Sequence, residues 1–304
     1  MLLFIEQVLN GLQFGVTLFL MASGLTLIFG IMRLINLAHG SLYMAGAYVA
    51  ATVSIASGGF LVGLVAGVTA AAVAGFALER LVMRRLYRRD HLDQVLATFA
   101  IILMSNEAVS WIWGRQPLRL DPPSWLQGTI ELVPGAPYPA YRLAVILVGL
   151  AVVVALFLLI QRTRLGMWIR AGSENRGMLE ALGVDVGRVF AVIFALGAAF
   201  AGLAGVMAGP FIAIEPGMGE QILILTFVVV VIGGLGSVTG ASVGALLVGL
   251  TDTLGRVYLP SLLRTVLPAS EADVVGASLA AMTIYLVMAV VLTVKPTGLF
   301  GRSE

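Results

Sequence analysis

Gly24–Ala50 reads GLTLIFGIMRLINLAHGSLYMAGAYVA, a hydrophobic run interrupted by Arg33, Asn36 and His39 and flanked by Gly30 and Gly40. Unsatisfied backbone groups and ionisable side chains are expensive in hydrocarbon. Such an interruption persists only where it is buried in protein or lines a polar path. The stretch therefore points to a membrane-embedded break with a part in transport.

Composition fixes the class around it. Of 304 residues, 60% are hydrophobic and 11% charged, against about 25% charged in soluble domains. Runs long enough to cross a hydrocarbon core of roughly 30 Å recur along the chain. The spans expected are near 7–29, 41–57, 60–79, 94–113, 141–160, 188–209, 221–236, 241–258 and 275–294. This is an all-α polytopic membrane protein of eight to nine helices, some of them broken, in a single domain over 1–304. A transmembrane barrel would show shorter segments of alternating polarity, which are absent. The N-terminal run lacks a basic n-region and is too long for a signal-peptide core, so it reads as a retained span.

Several chemistries are excluded. The chain has no cysteine, hence no disulfide, thiolate metal site or thiol redox centre. Two histidines, His39 and His91, are too few for a His-rich metal centre. The single lysine, Lys295, precedes proline, so no phosphate-binding Gly-Lys-Ser/Thr loop exists here. The chain is not expected to be an enzyme, and it carries no cofactor of its own.

Arginine sets the orientation. Loop 80–93 (RLVMRRLYRRDHLD) holds five and loop 161–188 another five, with Lys295 and Arg302 in the tail. The positive-inside rule puts these on the cytoplasmic side with the C-terminus, and counting spans back leaves the N-terminus outside.

A second break, GGLGSVTG at Gly233–Gly240, echoes the first. Glycine-interrupted spans in both halves of a chain point to a central pathway, although close helix packing at Gly236 and Gly240 explains glycines equally well. Asn36 and His39 tip the first break towards function. The expected pathway or gate residues are Asn36, His39, Gly40, Gly233, Gly234 and Gly236. Among charges within spans, Asp252 and Arg256 stand i, i+4 and suit a structural pair, leaving Glu107 as the intramembrane acid.

Loop 161–188 (QRTRLGMWIRAGSENRGMLEALGVDVGR) predicts a short amphipathic helix over Glu174–Leu182. Ser173 is its expected N-cap and Gly183 its left-handed stop. Met178, Leu179 and Leu182 give an apolar side, while Glu174, Arg176 and Glu180 give polar ones. From the residues, docking to a soluble partner and lying on the lipid surface are equally served.

Four ordered stretches then meet a known family. INLAHGSLYMAGAY (35–48), RAGSENRGMLEALGVDVGRV with FALGAAFAGLAGVMAG (170–209), VVVVIGGLGSVTGASVGALLVG (228–249) and KPTGLFGR (295–302) resemble LivH-type permeases of branched-chain amino acid ABC importers. The resemblance covers essentially the whole chain. It implies a bacterial inner-membrane importer with a second permease subunit, a homologous one giving a heterodimer or a second copy giving a homodimer. Two cytoplasmic ATPases carrying ATP and Mg complete it, with a periplasmic substrate-binding protein and no nucleic acid. It implies a fold akin to vitamin B12 importer permeases, and it makes the loop helix, with Ser173, Glu174, Arg176, Glu180, Leu182 and Gly183, the coupling helix. Cargo in such relatives includes branched-chain and other amino acids, urea, short amides and small aromatic carboxylates. Two readings from other classes are an ion-coupled secondary transporter built on Glu107 and an intramembrane hydrolase using Ser237 and His39.

Overall fold

The computed structural model describes residues 2–32, 34, 36–87 and 89–301. Arg33 and Arg302 lie outside the described residues. The order is α1 (Leu2–Met32), α2 (His39–Ser57), α3 (Phe60–Leu86), α4 (His91–Trp113), β1 (Thr129–Val133), β2 (Ala136–Pro139), α5 (Ala140–Arg162) and α6 (Arg164–Glu174). It continues with α7 (Arg176–Ala181), α8 (Val186–Ala208), α9 (Met218–Gly233), α10 (Val238–Leu263) and α11 (Ala269–Val294).

Among the described residues, seven helices (α1, α3, α4, α5, α8, α10 and α11) are long and apolar enough to cross a membrane. The other two expected spans are of a different kind. Helix α2 has 19 residues and includes His39, Ser41, Tyr43, Tyr48 and Thr52. Helix α9 has 16 residues, about 24 Å at 1.5 Å per residue, short of a full crossing. Two boundaries also move. Helix α3 runs past Leu78 through a π turn at Glu79–Met83 into what reads as the arginine-rich loop. Segment 114–139, expected as loop, holds an antiparallel hairpin pairing Ile130 with Tyr138.

The chain clusters into two compact units. In the one formed by 20–123 and 151–225, helices α2, α3 and α8 approach through small residues. A methyl on Gly46 would sit 2.5 Å from Gly202 Cα, one on Gly67 2.9 Å from Ala50 Cβ, and one on Gly205 3.0 Å from the Tyr43 carbonyl carbon. Small residues bring backbones to contact distance, which drives helix association where lipid removes the hydrophobic incentive.

In the other unit, 1–19, 124–150 and 226–304, Gly15 and Gly249 bring α1 and α10 together. Helices α10 and α11 form a hairpin with Gly276 against Pro260, tied at its turn by Arg264 and Asp273, 2.8 Å apart. Arg256 grips both oxygens of buried Asp252 at 2.8 and 2.9 Å, the expected i, i+4 pair.

Candidate functional site

The first break lies between Met32 and His39. Helix α2 starts after Ala38 with no side-chain cap, and its opening turn is closed by His39 N–H on the Asn36 carbonyl at 3.3 Å and Ser41 N–H on Ala38 at 3.1 Å. The His39 imidazole rests on α1, because a methyl at Gly24 would stand 2.9 Å from both Cε1 and Nε2. That same point is closer than 3.0 Å to the Gly197 carbonyl of α8. Gly197 is the twelfth of the 23 residues in α8, so His39 lies level with the middle of a helix about 35 Å long. Next to it, Gly40 and Gly219 meet backbone to backbone, each leaving no room for a Cβ on the other. Both α2 and α9 therefore begin within the depth of α8, and their first turns touch.

This crossing is unusually polar. Asn36 and His39 are 0% exposed. Neither the Asn36 amide nor either His39 nitrogen finds a hydrogen-bonding partner among the described residues, although the imidazole faces the Met21 backbone. The Oγ of Ser41 and the hydroxyls of Thr26, Tyr43 and Tyr48 are buried in the same state. Each such group costs about 1–3 kcal/mol, and native interiors keep few of them. Those on Asn36, His39, Ser41 and Tyr43 cluster at the start of α2.

Sequence reading missed Glu220. It precedes the span expected from 221, but it occupies the first turn of α9, beside the Gly40–Gly219 contact. Asn106 Nδ2 donates to its Oε1 at 2.5 Å. An acid in a first turn complements the helix dipole, a cue available once the helix start is placed at Met218. Glu107, the acid expected within a span, faces outward on α4. Glu79 was missed too: its side chain is buried in the π turn of α3, with Oε1 3.0 Å from the Tyr87 hydroxyl.

The second break has another construction. Helix α9 ends at Gly233 and α10 starts at Val238, with Gly234 and Gly236 at φ +104° and +81°. Gly233 packs against Gly240, and Gly234 against Gly298 and Gly301. The closing segment docks there: Leu299 N–H donates to the Ile232 carbonyl at 2.8 Å and Phe300 N–H to Gly233 at 2.9 Å. Ser237 Oγ accepts from Gly240 N–H at 3.0 Å and caps α10, an ordinary structural task that leaves the nucleophile reading without support. Asn36, His39 and Gly40 belong to one compact unit, and Gly233, Gly234 and Gly236 to the other.

Loop 161–188 departs from expectation in the start and length of its helix. Ser173 is not an N-cap; it sits in the last turn of α6 and donates to the Arg170 carbonyl at 2.8 Å. Thr163 caps α6 by accepting from Gly166 N–H, so a helix is already running through Ser173 and Glu174. Asn175 caps the next helix, accepting from Met178 N–H at 3.0 Å. As a cap Asn matches Ser, and the helix shortens to Arg176–Ala181. Gly183 is the stop expected of it, at φ +81°, with its N–H on the Glu180 carbonyl and Val184 N–H on Leu179. The apolar side divides: Leu179 is buried, whereas Met178 and Leu182 are 58% and 70% exposed.

Comparison with known proteins agrees with this arrangement. A family model described as branched-chain amino acid transport system / permease component matches residues 7–292. The chain is 31% identical to the high-affinity branched-chain amino acid transport system permease protein LivH of Escherichia coli, over 100% of this chain and 97% of that one. It is 30% identical to BraD of Pseudomonas aeruginosa over 99% and 97%. It is 27% identical to the probable LivH of Methanocaldococcus jannaschii over 82% and 80%. The chain belongs to the family of permease components of branched-chain amino acid transport systems.

Proposed function

We propose that this permease is the membrane subunit of an ABC importer that translocates branched-chain or other small amino acids. A periplasmic binding protein delivers them and partner ATPases drive the cycle. The observation that carries the reading is the full-length match to relatives named for that transport. The assembly it requires has a second, homologous permease subunit, two cytoplasmic ATPases and the bacterial inner membrane around them. The C-terminus is cytoplasmic and the N-terminus periplasmic, supported by the arginines of loops 80–93 and 161–188. The fold in this reading is a single permease domain of the vitamin B12 importer type.

Within it, two regions take separate parts. The break at Asn36, His39 and Gly40 forms the gate, supported by its burial, its unpartnered polar groups and its level against α8. Gly233, Gly234 and Gly236 shape the second break, in the other compact unit. Residues Ser173–Gly183 present α7 to an ATPase through exposed Met178 and Leu182, with Glu174 and Glu180 exposed as well and Arg176 part of the same segment. ATP hydrolysis belongs to the partner.

The test is reconstitution of the chain with its partner subunits in proteoliposomes. Uptake of leucine or a similar amino acid should require the binding protein and ATP, and substrate-loaded binding protein should stimulate ATP hydrolysis. Robust uptake by the isolated chain without any ATPase overturns the reading in favour of a secondary transporter.

A further inference from the structure

The last turn of α1, immediately before the first break, is held by the loop that carries α6 and α7. A methyl placed on Gly172 of α6 would touch Leu179 Cδ2 of α7 at 3.4 Å and Ile31 Cγ2 of α1 at 3.5 Å. Ile31 and Leu179 are 7% and 3% exposed, so two buried side chains flank the Gly172 backbone. The adjacent residue, Met32, is held from another side. Its sulfur lies 3.4 Å from the Tyr87 hydroxyl, and the Tyr87 ring meets Phe190 of α8 edge-on at 5.5 Å. Asn36 follows Ile31 by five residues, at most about 18 Å of chain.

We propose that Ile31 and Leu179 are positioning residues for energy coupling. Helices α6 and α7 and the end of α1 move as one body, and a displacement imposed on the exposed side of α7 reaches the break through Ile31. The inference rests on the reading that α7 docks on an ATPase. Neither residue touches nucleotide or cargo; Leu179 acts through the Gly172 backbone on Ile31, and Ile31 through the end of α1. Packed interiors transmit such displacements because they deform little.

The chain has no cysteine, so Ile31→Cys with Gly172→Cys makes a unique pair within this subunit. A Cβ at Gly172 makes only ordinary contacts. In the reconstituted complex, with partner subunits free of reactive thiols, one measures substrate moved per ATP hydrolysed. One-body motion predicts that the oxidised pair keeps the wild-type ratio, since the disulfide joins parts that already travel together. Leu179→Ala loosens the contact and lowers the ratio at least about fivefold, the low end of measured couplings between sites. Oxidising the cysteine pair in the Leu179→Ala background restores it, and reductant removes the restoration. Leu179→Met and Ile31→Leu, which keep volume, stay near wild type, and a purely structural role would lower yield without moving the ratio. Loss of transport on oxidation of the pair alone, reversed by reductant, overturns the proposal, because the two parts would then slide past each other. An unmoved ratio in assembled Leu179→Ala overturns it as well. Met178→Asp with Leu182→Asp tests the docking reading separately. Lost ATPase attachment in that variant together with an unmoved Leu179→Ala ratio sinks the proposal alone, whereas intact attachment sinks the docking reading and the proposal with it.

Discussion

The two breaks are written in similar sequence but solve the same physical problem in opposite ways. At the second, the groups freed where α9 stops and α10 starts are taken up within the chain: the Ile232 and Gly233 carbonyls by Leu299 and Phe300, the Gly240 amide of α10 by Ser237. At the first, the backbone turn closes locally, but the side chains around it remain buried and unpartnered among the described residues. A break whose groups are satisfied is a structural joint. One that stays unsatisfied keeps a cost that selection for stability alone would remove. The difference sets the two breaks apart: the chain itself holds the groups of Gly233–Gly240, and the gate proposed above lies at Asn36, His39 and Gly40.

The largest effect should come from forcing open the contact at the first break. Gly40→Leu puts a side chain where the Gly219 backbone already lies, and α2 and α9 must separate. Uptake should fall more than about tenfold, since overpacked close contacts cost 1–3 kcal/mol or more. Near-normal uptake with Gly40→Leu would mean that the two helix starts do not need to touch, and the gate would have to be sought elsewhere.

Removing the chain after Val294 probes the second break next. It strips the Ile232 and Gly233 carbonyls of their donors and exposes the Gly234 contact. Two lost hydrogen bonds leave acceptors that together cost about 2–6 kcal/mol if they stay buried. The expected result is a lower melting temperature of the assembled complex, with substrate moved per ATP unchanged in what survives. A changed ratio in well-folded truncated complex would give this break a part in transport and erase the contrast.

How much of this was legible in the sequence follows from the same contrast. The membrane class, seven of the nine expected spans, the Asp252–Arg256 pair and the Gly183 stop rest on hydropathy, i, i+4 spacing and glycine's φ freedom, all local properties, and they hold among the described residues. The burial of Asn36 and His39 could be anticipated because polar residues inside an apolar run have few places to go. Other features depend on partners remote in sequence. Nothing near Gly40 names Gly219, and nothing near Gly234 names Gly298. Glu220 reads as loop until α9 is known to start at Met218. Ser173 fails as a cap because Thr163, ten residues earlier, has already started a helix through it. Cap strength alone could not choose between Ser173 and Asn175.

The polar side chains of the first break allow a sharper cut. Asn36→Leu and His39→Leu replace buried unpartnered groups by apolar ones of similar bulk. If the groups are kept for gating, each variant should melt at the same temperature or higher, by up to about 1–3 kcal/mol of relieved desolvation cost. Transport should slow and ATP hydrolysis without substrate should rise. Early unfolding with normal specific activity in the remainder would make these residues the joint and the comparison would invert.

The smallest effect tests whether the second break holds any chemistry. Ser237 precedes the first turn of α10 and accepts from Gly240 N–H. Losing such a cap costs about 0.5–2 kcal/mol. Ser237→Ala should therefore lower the thermal stability of the purified complex slightly, and Ser237→Asp, an equally good cap acceptor, should recover most of it. Neither change should alter uptake or substrate-stimulated ATP hydrolysis beyond what the altered stability explains. A nucleophile behaves otherwise, since Asp in its place would not restore function and Ala would abolish it while the fold stays intact. Melting curves and uptake measured on the same three preparations separate a cap from a nucleophile, because only a cap lets Asp stand in for Ser.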